Sequence, residues 1–323
     1  MDYYLNQEAL YYEKKAARKT ANFIGLGIIF ISILSYTVRY LFRFIMYIYP
    51  SLNSIVEDPI FDYLYSASIT VPGFLVGGII LIKAQGCKIK NFVEFKKPKR
   101  NIFPLIFIGL GICMVGNIVA STFVSYLEEL FNFSPKMTEI DTPTDIFGAS
   151  IYIITTAVFP AIVEEFMYRG AVYGSLKKFG KPLAIIISAL LFGLMHGNLI
   201  QIPFAFVVGL GLGFITAESD SIWPAIIVHF LNNFAACIFD YIEIFFGREA
   251  QNAVFGIYMM LLLGLGILFG VLYLVLNKGV AFHYNKTGHI SSRGRLFTTI
   301  AFSPVIIVFY VFTFISILEA QLR

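Results

Sequence analysis

Apolar residues along the 323-residue chain gather into long runs separated by short polar connections. Nine runs of 16 or more mostly apolar residues lie near 22–49, 66–82, 102–127, 146–168, 182–198, 200–217, 222–242, 253–276 and 297–318. A helix needs about 20 such residues to cross about 30 Å of hydrocarbon at 1.5 Å per residue. The pattern therefore predicts an all-α, polytopic membrane helical bundle of about nine transmembrane helices, with eight as the alternative. The fifth and sixth runs are nearly continuous around Gly197-Asn198. The first 21 residues are polar and carry Lys14, Lys15, Arg18 and Lys19, and the run after them is longer than a signal-peptide core. A retained first span is expected rather than a cleaved signal.

Charge placement gives the bundle an orientation. With the N-terminus in the cytoplasm, the inner segments 1–21, 83–101, 169–181, 218–221 and 277–296 hold 19 of the 24 Lys and Arg residues. The outer segments hold 3, and Arg39 and Arg43 lie in the first span, where the bland reading is snorkelling to the outer interface. Such a bias follows the positive-inside rule and suits a multi-pass protein of the cell membrane. The basic balance reflects topology and contact with the lipid bilayer. Nucleic acid is excluded as a partner, since no recognition motif is present.

Composition fits the same picture: 58% hydrophobic residues, 14% charged and a mean hydropathy of +0.78. So few charges could not cover a soluble chain of this length. Cys87, Cys113 and Cys237 have no zinc-ribbon or disulfide spacing and read as reduced packing residues.

Against this background, Glu164 and Glu165 stand out, because a carboxylate in a membrane helix costs about 2.5–3.5 kcal/mol at its centre. Adjacent helical residues point about 100° apart, so the two cannot face the same way. Glu165 shares a face with Arg169 and is expected to pair with it as a supporting residue. Glu164 is left to act as the reactive carboxylate. Two further spans bring polar groups: Phe192-Gly193-Leu194-Met195-His196 in the fifth, and His229-Phe230-Leu231-Asn232-Asn233 in the seventh. Only His283 and His289, in the last inner loop, complete the four histidines. Counted from Lys177, Lys181 and Ser221, all these groups lie roughly 12–20 Å into the bundle.

Glu, His, His and Asn at one depth suit hydrolysis, most plausibly of a peptide bond. A carboxylate shielded from bulk water can act as general base toward water, and a histidine and an amide can stabilise the resulting oxyanion. Alternatively His196 and His229, with Glu164, could hold a metal ion such as zinc that acidifies a bound water. Taken singly, each group has a structural alternative: a buried ion-pair network, a packing histidine, interhelical hydrogen bonding. No His-Glu-x-x-His helix is present, and Gly148-Ala149-Ser150 is better explained by small-residue packing than as a serine nucleophile.

The ordered set Glu-Glu-x-x-x-Arg, Phe-x-x-x-His and His-x-x-x-Asn, between Phe159 and Asp240, resembles the CPBP family of intramembrane proteases. That family includes the type II CAAX prenyl endopeptidases, bacteriocin-processing and immunity-associated proteins, and relatives of lysostaphin resistance protein A. The resemblance implies a glutamate-dependent, metallo-endopeptidase-like enzyme acting on a membrane-associated or lipidated protein or peptide. Glu164 would activate water with help from His196, His229 and Asn233 would stabilise the oxyanion, and Glu165 and Arg169 would support them. With the hydropathy and charge pattern, this gives an expected organisation of a cytoplasmic segment (1–21), N-terminal spans (22–127), a catalytic core carrying the resemblance (128–245) and C-terminal spans (246–323). The rival expectation is a non-catalytic immunity or scaffold protein, or a proton-coupled transporter using Glu164.

Overall fold

A computed structural model describes residues 2–52, 58–92, 94–99, 101–135, 141–277 and 291–322. His283, His289 and most of the last inner loop lie outside the described residues. Among the described residues the chain is helical throughout, without strands. In chain order the helices are α1 (Asp2–Ile48), α2 (Pro59–Ala84), α3 (Ile102–Phe131), α4 (Ile146–Phe179), α5 (Lys181–Met195), α6 (Gln201–Ser219), α7 (Trp223–Phe246), α8 (Arg248–Leu276), α9 (Arg293–Ala301) and α10 (Pro304–Leu322).

Seven of these are long and apolar enough to span a membrane among the described residues, and α9 with α10 make an eighth if that bent pair counts as one. The count among the described residues thus falls at or just below the alternative of eight rather than at nine, for two reasons. Helix α5 has only 15 residues, or about 22 Å, short of the hydrocarbon thickness. It ends because Gly197 adopts φ +65°, a left-handed backbone that releases the chain into the polar turn before α6. The last run bends by 59° between α9 and α10, where Ser303 and Pro304 interrupt the helix. Elsewhere the ends follow local chemistry. The side chains of Asp58, Asn101 and Asp145 accept hydrogen bonds from the first turns of α2, α3 and α4.

Two large packed groups and a smaller one around Tyr63, Tyr152, Ala157 and Cys237 form the interior. One large group gathers α1, α2, α4 and α5 with α9 and α10 around Ile24, Leu81, Met167, Leu176 and Phe309. The other large group gathers α3, α6, α7 and α8 around Leu105, Leu212 and Val228. Close approach needs small residues: a Cβ on Gly27 of α1 would lie 2.7 Å from the Gly77 carbonyl oxygen of α2. The outer faces remain apolar, most of all on α8, where Ile257, Met260, Ile267 and Val275 are exposed. In water such a surface would associate; in a bilayer it is solvated. The protein is an integral membrane protein.

The connections expected on one side meet at one end of the bundle. Glu94 pairs with Lys96 at 2.8 Å and Lys177 at 2.7 Å, while Asp220 pairs with Lys99 at 2.5 Å and Lys181 at 3.8 Å. These ion pairs join the α2–α3, α4–α5 and α6–α7 connections in a lysine-rich belt. At the opposite end Tyr241 donates to the Pro143 carbonyl, and Arg39 lies 3.8 Å from Glu319.

Candidate active site

Helix α4 carries the two glutamates and is not a uniform α-helix. Residues Ile154–Val158 and Phe166–Val172 are π-helical, on either side of the α-helical Phe159–Glu165. Each π segment widens a turn, a distortion common at functional sites. The first is fastened from α7, where Asn233 Nδ2 donates to the Thr156 carbonyl at 3.1 Å. Asn233 Oδ1 in turn accepts from Asn232 Nδ2.

The two glutamates part as their spacing requires. Glu165 and Arg169 are fully buried side chains paired at 2.8 Å. The same oxygen, Glu165 Oε1, accepts from His229 Nδ1 at 2.9 Å. A carboxylate bound to a guanidinium can only accept here, so the imidazole carries its proton on Nδ1 and turns Nε2 the other way. That nitrogen faces Glu164, 4.0 Å from Oε2. Arg169 Nη2 also donates to the Gly209 carbonyl of α6 at 3.1 Å, tying a third helix to the pair.

Phe192 organises the remaining members. The Arg169 guanidinium lies 4.5 Å over its ring, and the rings of His196 and His229 stand edge-on to it at 5.1 and 5.9 Å. Its carbonyl receives the His196 Nδ1 proton at 2.9 Å, which leaves Nε2 of that ring as an acceptor. The sequence marked Phe192 only as the partner of a helical i, i+4 spacing. Its place between three charged or titratable groups was not legible there.

Glu164, His196, His229 and Asn233 all line one cavity of about 1690 Å³, whereas Glu165 and Arg169 lie behind its wall. Most of the lining comes from the helix halves farther from the lysine-rich belt, with α7 contributing much of its length. On α4 these are residues between Tyr152 and Glu164, and on α7 those between His229 and Ile244. The cavity thus reaches from the glutamates toward the end marked by Arg39, Glu243 and Arg248. Its wall is rich in hydroxyl and amide groups, among them Ser35, Thr70, Asn117 and Thr313.

The residue types could suit zinc, but among the described residues no three His, Cys, Asp or Glu side chains converge to hold a metal ion. What the geometry offers directly is a carboxylate and two imidazole nitrogens facing a polar cavity, backed by a charge-balanced pair.

Residues 147–235 match the family model for type II CAAX prenyl endopeptidase, Rce1-like. The chain carries an Rce1-like domain. This domain holds nearly all of α4, with α5, α6 and about half of α7, and with them Glu164, Glu165, Arg169, Phe192, His196, His229 and Asn233, while other parts of the cavity wall come from helices outside it. Two relatives share sequence with it. The membrane-embedded CAAX protease MroQ of Staphylococcus aureus (strain USA300) is 26% identical over 177 residues, covering 51% of this chain and 70% of MroQ. YdiL of Bacillus subtilis (strain 168) is 29% identical over 89 residues, covering 27% of this chain and 36% of YdiL. No solved structure matches the chain.

Proposed function

We propose that the protein is an intramembrane endopeptidase that hydrolyses a peptide bond in a membrane-associated protein or peptide. The observation that carries this reading is Glu164 Oε2 facing His229 Nε2 at 4.0 Å on the wall of a polar cavity, with Glu165 behind the imidazole. Groups 4.0 Å apart are too far for a direct bond but can share a water about 2.8 Å from each. MroQ's name as a CAAX protease supports the same reaction class.

In this reading Glu164 takes a proton from water, and His196 Nε2 accepts the second hydrogen bond that orients it. The hydroxide adds to the substrate carbonyl carbon. His229, protonated and held on Glu165, donates from Nε2 to the oxygen that becomes negative, and the second amide hydrogen of Asn233 assists. Glu164 then delivers its proton to the leaving nitrogen as the C–N bond breaks.

The lysine-rich belt lies in the cytoplasm of the cell membrane, and the cavity mouth opens outward. The substrate is a peptide segment, lipidated or not, reached through that mouth. Protein in lipid nanodiscs should cleave a peptide, and Glu164→Ala, His196→Ala and His229→Ala should each lower turnover by at least about 100-fold while melting normally. Full turnover by folded Glu164→Ala would sink the proposal and leave a binding or transport role.

A further inference from the structure

Helix α7 carries a polar stripe at helical spacing: His229, Asn233, Asp240 and Glu243 all line the cavity. Asp240 is half-buried, and it joins α7 to α4 by accepting a hydrogen bond from the Tyr152 hydroxyl. Charges farther along the cavity are balanced within the protein. Glu243 pairs with Arg248 at 2.9 Å, and Glu319 lies 3.8 Å from Arg39. Among the described residues Asp240 has no Lys, Arg or His partner. Glu164 has His229 at 4.0 Å, so among the described residues Asp240 is the cavity carboxylate left without a basic partner. Tyrosine donates a hydrogen bond but brings no countercharge, so Asp240 presents to the cavity a carboxyl group with no cation beside it.

We propose that Asp240 is a specificity residue that recognises a cationic side chain, Lys or Arg, of the peptide occupying the cavity. The inference rests on the protease reading above. Asp240 lies 11 residues after His229 on one helix, or about 16 Å along its axis. An extended peptide advances about 3.3–3.6 Å per residue. The cation would therefore sit about five residues from the cleaved bond, on the side of that bond nearer the cavity mouth. An interhelical hydrogen bond alone would explain Tyr152–Asp240 without any role in selection. Asp240→Asn separates the two, since its amide oxygen still accepts from Tyr152 while the charge is gone.

The test uses the full protein in nanodiscs and peptides in which a single Lys, Ala or Glu is moved stepwise away from the cleaved bond. Lys about five residues away should raise kcat/KM about tenfold or more over Ala, mainly through KM, and Glu should lower it. Asp240→Asn should abolish this preference and leave kcat on the Ala peptide within about twofold. The Glu164→Ala variant, with the same peptides carrying a fluorophore, reads the preference as Kd without turnover. Equal binding of Lys, Ala and Glu peptides, or a Lys preference that survives Asp240→Asn, overturns the proposal. Absence of cleavage with a Lys preference in binding overturns the protease reading and leaves the recognition role standing.

Discussion

Glu165 holds His229 through a 2.9 Å hydrogen bond from Nδ1, and the same carboxylate oxygen takes the 2.8 Å hydrogen bond of Arg169. One buried atom therefore fixes both the direction in which the imidazole presents Nε2 and the fate of a cation that could not otherwise be buried. Loss of a carboxylate that holds a histidine by its far ring nitrogen in this way costs about 10–100-fold at metal-bound histidines. Here it orients the histidine with Nε2 toward Glu164, 4.0 Å away.

Glu165→Gln should lower turnover by about 10- to 100-fold, because the amide cannot hold His229 in its charged form. It should also destabilise the protein, since breaking a buried pair from one side costs about 3–5 kcal/mol. Arg169→Ala should destabilise comparably and additionally remove the guanidinium from the Phe192 ring. Thermal melting and peptide cleavage of each variant in the same lipid check both effects. Unchanged melting in both variants would show that the pair is not structural.

The parts of this arrangement that could be read from sequence are those that helical geometry alone determines. Glu165 and Arg169 lie four apart, so their pairing required only that the segment be helical. The separation of Glu164 from that pair followed from the 100° step. Hydropathy located the membrane segments but not the helix ends. Charged residues before the first run do not break a helix, and α1 extends through them to Asp2. The fifth run extends through the polar turn His196-Gly197-Asn198, where the helix has already ended at Met195, and the last run concealed its bend at Ser303-Pro304. Other features depend on neighbours distant in sequence. The π segment at 154–158 is held by Asn233, 77 residues away, and Tyr152 meets Asp240 across 88 residues. Nothing local marks either one.

Metal dependence should follow the donor geometry. No three suitable side chains converge among the described residues, so turnover should persist within about twofold after dialysis against a strong chelator. Elemental analysis before and after dialysis shows whether any ion was removed. Loss of turnover restored by zinc alone would mean that His196, His229 and Glu164 close around an ion during the reaction.

The lysine-rich belt should make stability depend on acid pH. For Glu94 burial opposes the charge, but hydrogen bonds from Lys177 and Lys96 outweigh it and hold the carboxyl below its ordinary value of 4.5. For Asp220 burial is likewise outweighed, by Lys99 and Lys181, and its carboxyl is held below 3.8. A depressed folded value means that the folded state binds the proton less readily than the unfolded chain. The contribution is therefore complete above those ordinary values and is lost as pH falls through the depressed ones. Melting should be insensitive to these groups from pH 7 to about 5 and should weaken below about 4. Glu94→Gln and Asp220→Asn should each lower stability at pH 7 by up to about 1 kcal/mol and flatten the acid decline.

The cavity's single direction gives a topological test that does not depend on catalysis. Its lining comes mainly from the helix halves farther from the lysine-rich belt, so both ends of the molecule should not be equally accessible to the site. Ser125 lines the cavity on α3, is exposed and lies far from the belt, while Cys87 belongs to the lysine-bearing connection after α2. Cys113 and Cys237 are buried and should stay silent to a water-soluble reagent. In intact cells, a membrane-impermeant maleimide should label Ser125→Cys but not the native Cys87, and opening the cells should expose Cys87. Soaking with excess peptide substrate should slow labelling of Ser125→Cys severalfold, since the peptide and the reagent would share one mouth. Labelling of Cys87 from outside would reverse the orientation and place the mouth, and with it the substrate, on the cytoplasmic side.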